Sequence, residues 1–151
     1  MPDENIDFGA LLETDAADAV KPPLMPTGQY RCMVQGSKRI KSSKKGTPGL
    51  EFELVNFEPM SDVDVDQWNE FASHKLIDVK KLTKRTTFYV TPAALYRLKE
   101  FCEQCGVAPV GTLQKLVAET KGQNVLVKIV QTPFDDGSGA FNELQSFAQD
   151  V

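Results

Sequence analysis

The strongest constraint on the fold is a succession of segments in which apolar and polar residues alternate, the pattern of strands with one buried face. Between Gln29 and Ile40, the residues Tyr30, Cys32 and Val34 occupy alternate positions and therefore face the same side of a strand. Alternation returns from Leu50 to Phe57, after residues 42–49, which are rich in turn formers. The two segments predict a β-hairpin with a basic, glycine-containing loop.

The rest of the chain predicts three more strands and three helices. Thr91-Pro92 is typical of a helix N-cap followed by proline at the first helical position, and Gly106 suits the left-handed residue after a helix. Residues 58–82 have no regular pattern beyond a short helix within 68–77. The remaining elements are a strand over 85–90, a helix over 91–106, a short helix over 112–119, and strands over 124–131 and 141–147.

This order of elements predicts the fold class. Strand, strand, strand, helix, strand, strand is the order of the OB-fold, a mainly β, five-stranded Greek-key barrel with a helix between strands 3 and 4. Pro22-Pro23 interrupts both helix and sheet. We therefore predict a flexible acidic N-terminal arm over 1–25, an OB-fold domain over 26–148 and a tail over 149–151.

The charges are segregated along the chain. The net charge is −4, yet residues 28–50 contain six basic residues and no acid, and residues 75–85 contain five basic residues and one acid. Seven acids lie between them, within 51–74. Because the local field decides whether a phosphate binds, the two basic segments keep nucleic acid as a candidate partner.

The composition argues against a membrane or secreted protein. No segment approaches the roughly 20 apolar residues of a membrane span, and the acidic N-terminus is unlike a secretory signal. We therefore expect a cytoplasmic protein. Its three cysteines are then expected to be buried thiols rather than a disulfide framework.

Several short segments give the chain a family resemblance. They are the P-x-G-x-Y opening at 26–31, the basic loop at 41–46, the strand at 50–54, the helix end at 98–106 and Asn142 to Phe147. Together they resemble the phage-encoded single-stranded DNA-binding proteins with an OB fold. Two departures are the long acidic segment 58–82 and the absence of a long acidic C-terminal tail, which makes the N-terminal arm the better candidate for recruiting partners.

The resemblance implies a non-enzymatic protein that protects single-stranded DNA, without marked sequence preference, during phage DNA replication, recombination or repair. It would act in the host cytoplasm without a cofactor, beside phage or host replication and recombination proteins. The sequence does not distinguish a monomer from a dimer. The alternative is an OB-type module that binds a replication or virion protein through its acidic segments.

Single-strand binding needs cations for the phosphates and aromatic rings on which bases stack, at about 1–3 kcal/mol per base. Phe57 is a stacking candidate because its parity is opposite to that of Phe52 and Leu54. Each aromatic is equally a candidate core residue, and each lysine a solvated one. The predicted DNA-binding residues are Arg31, Lys38, Arg39, Lys41, Lys44, Lys45, Phe57, Trp68, Lys80, Lys81, Lys84, Arg85, Tyr89 and Phe134.

Metal and redox chemistry form a third, weaker hypothesis. Cys102 and Cys105 form a C-x-x-C that Cys32 and His74 would complete to a zinc site, but there is no second C-x-x-C. The motif also ends a helix, whereas in thioredoxin-like proteins it begins one. The acidic run 62–66 lacks the glycine and glutamate of an EF-hand, and no P-loop or nucleophile–base pair is present.

Overall fold

Five strands form the body of the protein. The computed structural model describes residues 21–150 together with Gly9, Leu12, Glu13 and Ala16. The strands are β1 (Gly28–Lys41), β2 (Pro48–Pro59), β3 (Lys84–Tyr89), β4 (Asn124–Pro133) and β5 (Ala140–Ala148).

The strands form one antiparallel sheet in the order β3-β2-β1-β4-β5. The mainly β prediction is therefore confirmed. The sheet is open, with β3 and β5 as its two edges. Its centre is β1, whose first half pairs with both β2 and β4 and whose second half, beyond Met33, pairs with β2 alone.

Three α-helices connect the strands: α1 (Val65–Ser73), α2 (Leu95–Gln104) and α3 (Leu113–Glu119). A 3-10 turn covers Val79–Lys81. The predicted start of the long helix is wrong, because Thr91 does not cap it. The Thr91 carbonyl instead accepts from the Ala94 and Leu95 amides, so a turn precedes α2. Gly106 follows the helix at φ 85°, as predicted.

The core lies between one face of the sheet and the helices. Phe101 of α2 is its central aromatic, with ring centroids 4.7 Å from Phe52, 4.8 Å from Phe88 and 5.0 Å from Phe147. Phe88 lies on β3 and Phe147 on β5, and their own centroids are 6.2 Å apart. The two edges of the open sheet thus approach each other through aromatic side chains.

An irregularity in β2 changes the face of the sheet to which the side chains of its last residues point. Arg31 pairs with Glu58 and Met33 with Val55, so β2 has one residue more than β1 in this interval. Asn56 accommodates it with φ 58°, in the left-handed region. Phe57 is consequently turned into the core, where it is 5% exposed. The prediction that Phe57 faces away from Phe52 and Leu54 is wrong.

One residue on each side of the predicted domain contacts it. Met25, assigned above to the arm, is buried: its amide donates to Asn142 Oδ1 (2.9 Å), and its carbonyl accepts from Gln131 Nε2 (2.9 Å). Asp150, assigned to the tail, accepts from Arg31 Nε at 2.9 Å. The rest of the predicted arm, apart from the few residues named above, lies outside the described part of the chain. Within that described part, no helix has the length and apolar character needed to cross a membrane.

Candidate nucleic-acid interface

The β1–β2 loop is held by the side chain of Ser42. Its Oγ accepts from the Lys45 amide (3.3 Å) and the Thr47 amide (3.0 Å). The Ser42 carbonyl accepts from Gly46, whose φ of 64° allows the tight turn. The loop therefore presents Lys44 and Lys45 to solvent on an ordered backbone.

The outer face of β1, β2 and β3 has paired charges. Glu51 lies between two cations, 3.5 Å from Lys38 Nζ and 3.6 Å from Arg85 Nε. Arg85 also donates to Glu53, at 3.3 Å. Two of the predicted DNA-binding cations thus already have carboxylate partners, and this part of the face is close to neutral.

Tyr89 extends this outer face towards the β1–β2 loop. It has the same parity as Arg85 and lies directly opposite Gly49 on β2. Gly49 itself is buried, with the side chains of Ile40 and Thr87 against it, whereas Tyr89 is 45% exposed. Of the predicted stacking residues it is the one next to the basic loop.

The other cations of the hairpin point to the opposite side of the sheet. Arg39 pairs with Leu50, and Lys41 pairs with Pro48. Leu50 packs against the core, so this is the inner face. Arg39 and Lys41 therefore border the space beneath the hairpin rather than the surface that bears Tyr89.

The second basic segment divides between surface and interior. Lys80 and Lys81 are exposed on the 3-10 turn. Lys84 is half-buried and pairs with the buried Leu54, and desolvation lowers its pKa. The turn with Lys80 and Lys81 precedes β3, whose six residues separate its start from Tyr89 by about 17 Å.

Three predicted residues lie at the far end of β1. Arg31 donates to Glu58 (2.7 Å) and Asp150 (2.9 Å), and these contacts raise its pKa. Trp68 lies on α1, its ring centroid 5.6 Å from Tyr30. Phe134 lies on the β4–β5 loop and pairs with Phe141 at 5.1 Å. With 14 residues in β1, this end is about 43 Å from the lysine loop along the strand.

The structure thus brings together five of the predicted residues, Lys38, Lys44, Lys45, Arg85 and Tyr89, on one outer surface that we call the hairpin surface. Lys80 and Lys81 are exposed on the 3-10 turn that precedes β3. Among the residues described, none of Lys44, Lys45, Lys80 and Lys81 lies within 4.0 Å of a carboxylate.

A second feature, absent from the sequence analysis, is a groove of about 810 Å³ beneath the hairpin. Its walls are the inner side of β1–β2 and the facing sides of α2 and α3, and Arg39 and Lys41 lie at its border. The one sequence signal is the spacing of Leu95 and Leu98 on the long helix, which does not distinguish a groove from the core. The apolar lining comprises Ile40, Leu50, Val90, Leu95, Leu98, Leu113 and Val117.

The cysteines are buried thiols, as predicted. Burial raises the pKa of Cys102 to about 11 and those of Cys32 and Cys105 to about 12. A protonated, inaccessible thiol is a poor nucleophile and a poor metal ligand. No group of three or more candidate ligands that could hold a metal occurs among the described residues, which include all members of the Cys₃His hypothesis.

The comparisons with known proteins add no relative from which a function could be transferred. The sequence matches no model of a known protein family and no curated protein. The function must therefore be inferred from the hairpin surface and the groove themselves.

Proposed function

We propose that this protein binds single-stranded DNA without marked sequence preference and without catalysis, in the cytoplasm, protecting the strand during replication, recombination or repair. The proposal depends most on one observation. Lys44 and Lys45 are exposed on an ordered loop that ends shortly before Gly49, the β2 residue paired with Tyr89, whose ring is 45% exposed. Cations next to an aromatic ring are the combination that single-stranded nucleic acid requires.

We propose further that the sheet is an OB-type barrel with its seam between β3 and β5. The strand order supports this, as does the position of α2 after β3. The approach of Phe88 and Phe147 across the seam also supports it. In OB folds, oligonucleotides bind across strands 2 and 3 and at the β1–β2 loop, which correspond to the hairpin surface here.

The mode of binding follows from the charges. Lys44 and Lys45 contact phosphates at one end of the surface, and Lys80 and Lys81 contact them at the other. A base stacks on Tyr89 between these two groups. Lys38 and Arg85 exchange their carboxylate partners for phosphates only in part, because Glu51 and Glu53 remain beside them. Since stacking and phosphate contacts are independent of base identity, little sequence preference is expected.

The direct test is fluorescence anisotropy of a labelled thirty-nucleotide oligo-dT, titrated with the full chain at several salt concentrations. Duplex DNA of equal length and single-stranded RNA serve as competitors. We expect single-strand-selective binding that weakens with salt at a log–log slope of about −0.7 per phosphate contacted. An absence of binding at low salt would overturn the proposal in favour of a protein-interaction module.

The matched variants locate the interface. Lys44→Glu with Lys45→Glu removes two phosphate contacts, which should weaken binding roughly 10- to 100-fold and flatten the salt slope by about 1.4. Lys99→Glu with Lys121→Glu makes the same change of charge at exposed positions outside the β1–β2 loop and β3. Equal losses in the two double variants would show that only the net charge matters, contrary to the proposed site.

A further inference from the structure

The groove beneath the hairpin is apolar with a basic border, and no described residue fills it. The side chains that line it from the helices are Leu95 and Leu98 on α2 and Leu113 and Val117 on α3. Arg39 and Lys41 stand at its β1 side. Its volume of about 810 Å³ lies within the range of about 300–1,000 Å³ typical of ligand sites. An occupant with apolar side chains and negative charge would fit it.

The chain itself contains such a segment. Residues 1–20 include six acids and no Lys or Arg, together with Ile6, Phe8, Leu11 and Leu12. The Glu13 amide donates to the Gly9 carbonyl at 3.2 Å, which is one helical turn. Leu12 in this turn is 85% exposed. A leucine this exposed gains free energy by entering an apolar site, about 25 cal/mol for each Å² of apolar surface removed from water.

We propose that the N-terminal segment of one molecule, residues 1–20, binds in the groove of a second molecule. The apolar residues of the segment enter between β1–β2 and α2–α3. Its carboxylates lie beside Arg39 and Lys41. The segment and the groove are thus complementary in both apolar character and charge, a mode of recognition typical of amphipathic helices in apolar grooves.

The dimensions favour a second molecule over the segment's own groove. Lys21, where the segment ends, donates to the Ser138 carbonyl on the β4–β5 loop. From there to the groove, the path along β4 and β1 is about fourteen residues of strand, or about 46 Å. The thirteen residues from Phe8 to Lys21 span at most about 47 Å fully extended, and about 38 Å with the helical turn retained.

The resulting contact is head-to-tail. Each molecule uses its N-terminal segment on one neighbour and its groove on another, so the contact is heterologous and generates open chains rather than closed dimers. Association then increases with concentration without a fixed end point. This inference does not depend on DNA binding, because Lys44, Lys45, Arg85 and Tyr89 of the hairpin surface do not line the groove.

Sedimentation velocity of the full chain from about 1 to 200 µM tests the proposal, since this range covers the affinities of weak protein contacts. We expect the weight-average sedimentation coefficient to rise continuously. Two variants should each remain monomeric: one with Phe8, Leu11 and Leu12 changed to Ala, and one with Gln114→Glu and Ala118→Glu. Gln114 and Ala118 are exposed residues at the groove, so the second variant keeps its core and adds repulsion.

Mixing the two variants gives the decisive result. The first retains an intact groove and the second an intact segment, so the mixture should form heterodimers and nothing larger. A wild-type chain that stays monomeric at all concentrations would overturn the proposal, as would a mixture that stays monomeric. Affinity for an oligo-dT short enough to hold one molecule, measured at 1 µM protein, should be unchanged by Gln114→Glu with Ala118→Glu, which separates this test from that of the proposed function.

Discussion

Lys84 illustrates how the role of one residue depends on neighbours distant in sequence. It was grouped with Lys80, Lys81 and Arg85 as a DNA-binding cation. In the fold it pairs with the buried Leu54 and lines a small apolar pocket with Phe71, and desolvation lowers its pKa. We therefore expect Lys84 to contribute little to phosphate binding.

Replacing Lys84 with methionine should stabilise the protein. Methionine keeps the length of the side chain without the cost of desolvating a charge, and the expected gain in the free energy of unfolding is about 0.5–2 kcal/mol. Because the folded-state pKa of Lys84 is lowered, the wild type regains this stability as the pH rises through that pKa towards the unfolded value. The gain measured by urea unfolding should therefore shrink at alkaline pH. A loss of stability at pH 7 would show that the ammonium group has a stabilising partner.

At the scale of elements, β2 shows what the sequence could and could not predict. Alternation and turn residues placed all five strands and α3 to within about two residues, because those signals are local. The extra residue at Asn56 was not predictable, since asparagine in the left-handed region has no distinctive flanking pattern, and it reversed the parity of Phe57. The ion pair between Lys38 and Glu51 was not predictable either. It depends on the register between β1 and β2, which the charge count of each segment does not reveal.

The strand pairing makes Glu51 a restraint on DNA binding. Glu51→Gln removes the carboxylate shared by Lys38 and Arg85 and keeps the shape of the side chain. We expect oligo-dT affinity to increase several-fold, with a steeper salt slope, because more cations are available to phosphates. Lys38 and Arg85 are 67% and 59% exposed, and ion pairs made by exposed cations contribute little to stability, so the melting temperature should hardly change. Unchanged affinity in the anisotropy titration would mean that DNA does not cross this part of β2.

At the scale of the whole molecule, one core joins the helices to the sheet and encloses all three thiols. Cys32 lies on β1, while Cys102 and Cys105 belong to the end of α2. Exposing them requires α2 to leave the sheet, and the same motion separates Phe101 from Phe88 and Phe147. Thiol accessibility is therefore a measure of global opening.

Thiol labelling with an aromatic disulfide at pH 8 should be slow in the native protein and complete in guanidinium chloride, with three groups reacting. Burial and the raised pKa values of the cysteines both disfavour the thiolate. Labelling rates should follow the unfolding free energy as denaturant is added. One thiol that reacts within seconds in the native state would instead indicate an accessible cysteine and revive the redox hypothesis.

The second half of β1 does not pair with β4, so it forms a three-stranded layer with β2 and β3. The hairpin surface lies on one side of this layer and the groove on the other. Any ligand that straightens or bends this layer changes the shape presented to the ligand on the opposite side. Thermodynamic reciprocity then requires that if DNA tightens the head-to-tail contact by some factor, the contact tightens DNA binding by the same factor. Coupling between the two ligands of this three-stranded layer would in this way determine whether protein molecules bind along single-stranded DNA singly or in contiguous runs.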